Sequence, residues 1–126
     1  MRKIIKTDKS PAAIGTYSQG VASGGLVFTS GQIPLDPVTG KLVTGEFKDQ
    51  VEQVLRNVSA VLEAGGSSLD RIIKLTVFLK DLRNFPMLNG VFMKYFAADA
   101  PARSTVQVSD LPMGVDVEID AIGCVK

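Results

Sequence analysis

The chain contains no histidine among its 126 residues. It therefore cannot supply a Ser-His-Asp or Cys-His relay, a two-histidine metal site or a phosphohistidine. A single cysteine, Cys124, excludes internal disulfides and any four-thiolate site. Tryptophan is absent, and only Tyr17 and Tyr95 supply phenols. Neither sign of charge dominates: 14 Lys and Arg stand against 13 Asp and Glu, for a formal charge of +1. That balance argues against binding nucleic acid by bulk charge. No stretch approaches the roughly 18 uncharged apolar residues that mark a membrane span. Chemistry must come from carboxylates, Arg, Lys, Tyr, hydroxyls, amides and backbone groups.

What is present suits one domain over residues 1–126, with 45% hydrophobic residues to fill a modest core. Arg2, Lys3, Lys6 and Lys9 open the chain, but Asp8 interrupts them and no long apolar run follows, unlike a signal peptide. Without disulfides, a reducing compartment is compatible, and a cytoplasmic location is expected.

The pattern predicts a short strand at residues 3–5 and another over Tyr17–Ala22. Gly24-Gly25 then turns into a strand over Leu26–Ser30. Phe47, Val51, Val54, Leu55, Val58, Val61 and Leu62 recur at helical spacing, and Gly65-Gly66 ends that helix. A β-branched strand spans Ile72–Leu79, with Ile73, Leu75, Val77 and Leu79 expected on one face and Ile72, Lys74, Thr76 and Phe78 on the other. A second helix is expected over Phe85–Phe96.

Residues 103–108 and 115–122 flank a turn at Pro112 and Gly114 and read as a terminal hairpin. Such a hairpin can bring Arg103, Thr105 and Gln107 onto one face with Asp116, Glu118 and Asp120. The element order fits an α+β sandwich, two helices covering one face of a mainly antiparallel sheet. Its other face mixes Ile72, Phe78 and Ile122 with polar groups, as expected of a sheet packed against sister subunits or of an ordinary surface mosaic.

Arg103 and Glu118 are the first candidates for chemistry. A guanidinium grips a carboxylate or phosphate through two parallel hydrogen bonds, and a carboxylate not paired to it can orient or deprotonate water. The competing reading is a cross-strand ion pair of Arg103 with Asp116, Glu118 or Asp120. The Tyr17 phenol could cover a pocket, or be a half-buried ring whose hydroxyl reaches solvent. Gly31, in Thr29-Ser30-Gly31-Gln32, permits close approach to a ligand or simply turns the chain. Asn89 is a poor helix former within the second helix, aimed either into a cleft or at solvent. Cys124 lacks a histidine to activate it and reads as inert. Asp116, Glu118 and Asp120 alternate on one strand, a weak pattern for metal ligation.

Several segments converge on one family. Ala12-Ala-Ile-Gly-Thr-Tyr-Ser-Gln19, Phe28-Thr-Ser-Gly-Gln-Ile-Pro34, Lys74-Leu-Thr-Val-Phe-Leu79, Pro101-Ala-Arg-Ser-Thr-Val-Gln-Val108 and Val117-Glu-Ile-Asp-Ala-Ile122 resemble the Rid family of reactive-intermediate imine deaminases. The resemblance runs through the whole chain in order. It implies a chorismate-mutase-like α+β fold and a homotrimer with clefts between subunits. It also implies hydrolysis of 2-imino or 2-enamino acids, such as 2-iminobutanoate and 2-iminopropanoate, to 2-oxo acids and ammonia, with no cofactor and no metal. Those intermediates come from pyridoxal-phosphate enzymes such as threonine and serine dehydratases.

On this resemblance Arg103 clamps the substrate carboxylate and Glu118 activates water. Tyr17 lines the cleft from a neighbouring subunit, Ser30 and Asn89 border the substrate, and backbone near Gly31 and Thr105 accepts hydrogen bonds from its nitrogen. Three positions depart from the family: Thr105 stands where cysteine is common, Thr16 where proline is usual, and Gly90 where glutamate is frequent. A ligand-binding regulator of the same fold is the main alternative. RNA cleavage is a poor physical fit for a neutral chain without histidine.

Overall fold

The computed structural model describes residues 1–126. Strands β1 (Lys3–Ile5), β2 (Gly20–Ser23) and β3 (Leu26–Thr29) lead to helix α1 (Phe47–Ala64). Strand β4 (Ile72–Leu79), helix α2 (Phe85–Tyr95), β5 (Ala102–Gln107) and β6 (Val117–Cys124) follow. The six strands form one mixed sheet in the order β1-β2-β3-β6-β4-β5. Only the β4–β5 pair is parallel. No helix is long and apolar enough to cross a membrane.

Local sequence accounts for most of these elements. Gly24 and Gly25 both take positive φ, as a two-residue hairpin turn requires, and Ser23 pairs with Leu26 across it. Every residue of the anticipated α1 stripe is buried, and Gly66, at φ +91°, closes the helix. The strand expected from Tyr17 begins only at Gly20, because residues 17–19 bend to meet Ser30. Helix α1 packs on β3, β6 and α2, and the core joins it to Leu75, Val77, Leu79, Val117, Ile119 and Ala121. Each large side chain buried there contributes about 1.5–3 kcal/mol.

The terminal hairpin does not form. Strand β5 pairs in parallel with β4, joined to it through α2, and β6 inserts between β3 and β4. The reason lies in burial: β6 alternates fully buried Val117, Ile119 and Ala121, which need neighbours on both edges. Strand β5 is mostly exposed and suits the sheet edge. A turn flanked by alternating strands looks the same in sequence whether the chain folds back beside its neighbour or passes over one strand.

Strand β4 also departs from the expected alternation at its start. Its pairing with β6 skips one residue between Ile72 and Lys74, so Ile72 is buried in the core and Ile73 is exposed. An inserted residue reverses the alternation locally. Beyond that bulge, Lys74, Thr76 and Phe78 lie opposite the helices as expected, in register with Ile122, Asp120 and Glu118. This face is covered by no helix and carries exposed Phe28 and Val106 beside half-buried Phe78 and Ile122.

Candidate active site

Arg103 sits on the edge strand in register with Leu75, hence on the helix side of the sheet. Its guanidinium carbon lies 5.2 Å from the Phe85 ring centroid and 5.4 Å from that of Phe92, both on α2. Stacking on two rings holds a cation by its flat faces and leaves its N–H edge free. The chain's three ion pairs are Lys48–Glu46, Arg83–Asp81 and Lys94–Glu52, so Arg103 is not consumed by a cross-strand carboxylate. It borders a cavity of about 540 Å³ shared with Leu75, Asn89, Phe92, Met93, Phe96, Ala100 and Pro101. Asn89, open to either reading in sequence, faces this cavity. Thr105 shares the strand face of Arg103, and its hydroxyl oxygen is buried without a hydrogen-bond partner.

Glu118 belongs to a different place. It is in register with Phe78, on the face away from the helices, and is half-buried. Burial pushes its pKa upward from the ordinary carboxylate value, and the neighbouring charge of Asp120 adds to the shift. Asp120 is raised too, first by burial, with Thr76 and Lys74 pulling it back. The Glu118 side chain runs against the backbone of Gly31: a Cβ there would sit 2.8 Å from Glu118 Cδ and overlap the carboxylate oxygen. Glycine at 31 is a packing requirement of Glu118, beyond the turn or ligand approach that sequence suggests.

Ser30, next to Gly31, donates its hydroxyl to the carbonyl of Ser18 at 2.5 Å, and its N–H to the carbonyl of Gln19 at 2.9 Å. Tyr17 precedes that contact. Its ring is 51% exposed, and its hydroxyl accepts a 3.4 Å hydrogen bond from the Ile14 N–H. Ser30 and Gly31 thus lie beside Glu118, with Tyr17 one residue before the Ser18 contact, whereas Arg103 and Asn89 line one cavity and Thr105 lies two residues along β5 on the Arg103 face. A second cavity of about 540 Å³, bordered by Lys9, Arg56 and Glu63, shares no residue with either.

Sequence reasoning missed a set of buried amides that hold this region. Gln19, Gln32 and Asn57 are 4%, 6% and 0% exposed. Asn57 donates to the carbonyls of Ile33 and Leu35 and accepts from Gln53. Asn57 had a signal: it falls three residues after Val54 and four before Val61, on the apolar stripe. Gln19 and Gln32 had none, since they lie in irregular chain.

The α+β fold thus offers an unpaired cation beside a cavity on one sheet face and a partly desolvated carboxylate on the other. The chain belongs to the Rid family, also called RutC, RidA or YjgF, and the family model described as Endoribonuclease L-PSP matches residues 7–125. It is 49% identical over 122 residues to a RutC family protein of Pyrococcus horikoshii, covering 97% of each chain. The chloroplastic Reactive Intermediate Deaminase A of Arabidopsis thaliana is 44% identical over 121 residues, 96% of this chain and 65% of the plant protein. The crystal structure of Escherichia coli TdcF with bound serine superimposes with a TM-score of 0.93 at 46% identity, covering 98% of this chain and 99% of that one.

Proposed function

We propose that this chain is a deaminase of reactive 2-imino and 2-enamino acids, releasing 2-oxo acids and ammonia from 2-iminobutanoate and 2-iminopropanoate. The observation that carries this reading is Arg103, whose guanidinium is stacked on Phe85 and Phe92 without a carboxylate partner at the mouth of a cavity. Such a group binds the carboxylate of a small acid through two charge-assisted hydrogen bonds. Relatives named as deaminases, and a related protein that binds serine, support the same ligand chemistry.

In this reading Glu118 takes a proton from water as the water oxygen bonds to C2 of the imine. Glu118 returns that proton to the nitrogen, giving a carbinolamine. The carbinolamine hydroxyl proton then passes to the same nitrogen as the C2=O bond forms and the C2–N bond breaks, and ammonia leaves. Water is consumed and no redox change occurs. An iminium carbon is already electrophilic, so orienting water and neutralising the carboxylate supply much of what is needed. Tyr17 and Ser30 wall the carboxylate side, Asn89 borders the substrate, and backbone at Gly31 and Thr105 accepts from its nitrogen.

Arg103 and Glu118 lie on opposite sides of one sheet, so a cleft using both draws them from two copies. A homotrimer, with three sheets of a chorismate-mutase-like sandwich around a central barrel, meets that need and covers the apolar face bearing Phe28, Phe78 and Val106. The reading takes residues 1–126 as one Rid domain, cytoplasmic and working beside pyridoxal-phosphate dehydratases. RNA cleavage, to which the family model's description points, fits poorly with a formal charge of +1 and no histidine.

The test generates 2-iminobutanoate from threonine with a dehydratase and follows 2-oxobutanoate release, with semicarbazide competing for the imine. Acceleration that disappears in Arg103→Ala is the expected result. A folded trimer that gives no acceleration would turn the reading to a 2-oxo acid-binding regulator, checked by a binding titration.

A further inference from the structure

Resting on the deaminase reading, we propose that Gln19 is a positioning residue that sets the spacing between the Tyr17 loop and the Gly31–Glu118 wall. Its carboxamide is nearly inaccessible and spends every polar atom on backbone. Oε1 accepts from the Thr7 N–H at 2.8 Å, while the two hydrogens on Nε2 are shared among the carbonyls of Thr7, Ser10 and Pro11 at 2.9, 3.1 and 2.8 Å. One side chain thereby organises residues 7–11, a segment with no strand or helix of its own.

The clasped segment is tied onward. The Ser10 hydroxyl donates to Gln32 Oε1 at 3.1 Å, and Gln32 Nε2 donates to the Ser30 carbonyl at 3.3 Å. The backbone of Gln32 exchanges two hydrogen bonds with Ile119, at 2.8 and 3.0 Å, and Ile119 directly follows Glu118. From the other side, the carbonyls of Ser18 and Gln19 hold Ser30. Gly31 is thus pinned through both neighbours, and Tyr17 lies one residue from the pin at Ser18. Buried polar networks of this kind are rigid when complete, because an unpaired member pays the full cost of desolvation.

The core of the sheet does not depend on residues 7–11, which lie outside the hydrophobic cluster. Gln19→Leu should therefore free the segment while the sheet stays folded. With no tryptophan and two tyrosines, a Tyr95→Phe background leaves Tyr17 as the sole strong emitter. In that background Gln19→Leu should raise acrylamide quenching of Tyr17. It should also lower kcat/KM for the imine about 10- to 100-fold, the penalty of a displacement near 1 Å in a binding wall. Ser10→Ala, which cuts only the link to Gln32, should lower kcat/KM in the same direction but less, and the double variant should lose less than the product of the two.

Unchanged Tyr17 quenching and unchanged kcat/KM in Gln19→Leu would overturn the proposal while leaving the deaminase reading intact. Multiplicative losses in the double variant would equally sink the idea of one connected device. If Gln19→Leu does not fold, Ser10→Ala with unchanged kcat/KM overturns it instead. An unmodified chain that is inactive toward imines sinks the deaminase reading separately, and the quenching comparison then decides the positioning claim on its own.

Discussion

Arg103 and Glu118 point to opposite sides of the sheet, with β4 lying between their strands. Arg103 shares its face with Leu75 and Ala121 under the helices, whereas Glu118 shares its face with Phe78 and Val106. Two inactive variants should therefore complement each other. Arg103→Ala and Glu118→Ala chains, unfolded and refolded together at equal concentration, should regain activity in about a quarter of their clefts if each cleft takes the two residues from different protomers. Mixed oligomers that stay as inactive as either parent would show that both groups come from one chain.

The two groups should fail in different ways. Arg103→Lys keeps the charge but loses the two-pronged geometry and the stacking on Phe85 and Phe92. It should raise KM and lower kcat/KM about 100-fold, since each charge-assisted hydrogen bond is worth about 1.5–3 kcal/mol. Glu118→Gln should leave KM nearly unchanged and lower kcat about 100- to 10,000-fold, the usual span for a lost general base. Steady-state kinetics on both variants checks the split.

The acid limb of activity should report Glu118. Water activation needs the carboxylate ionised, and burial with the charge of Asp120 raises its pKa, so activity should fall at a pH above the ordinary carboxylate range. Asp120→Asn removes a like charge, makes ionisation of Glu118 easier, and should move the acid limb of kcat/KM to lower pH. A limb that stays in place or moves upward would contradict the assignment.

Gly31→Ala places a methyl group where the Glu118 carboxylate lies. The carboxylate must move or the strand must shift, at a cost of about 1–3 kcal/mol for overpacking. The variant should remain folded by circular dichroism, melt earlier, and show a kcat loss resembling that of Glu118→Gln.

Gly90 offers the reverse. It lies inside α2, with ordinary helical φ and nothing within 4 Å of the position a Cβ would take. Gly90→Ala should stabilise the chain by about 0.5–1 kcal/mol through a less flexible unfolded state. Thermal melting should rise by a few degrees, with KM unchanged because Asn89 keeps its place.

Much of this molecule is written locally. The stripe from Phe47 to Leu62, the glycine stop of α1, the Gly24-Gly25 hairpin and the β-branched run of β4 follow from spacing and backbone preference, which neighbouring residues decide among themselves. Arg103 and Glu118 stood out as candidates because a chain without histidine has few groups for chemistry, and the family resemblance, more than residue type, gave them their expected roles.

Strand order, the side each candidate faces and the buried amides Gln19 and Gln32 were not legible. Two strands flanking a turn carry no record of whether a third lies between them. That outcome depends on β6, with Val117, Ile119 and Ala121, winning the centre of the sheet over the more exposed β5. One extra residue at Ile73 exchanged the sides of Ile72 and its neighbour, and Gln19 acquired its partners only when residues 7–11 folded over it. Sequence determines what each segment prefers; competition among distant segments for the same buried surface decides where its side chains end.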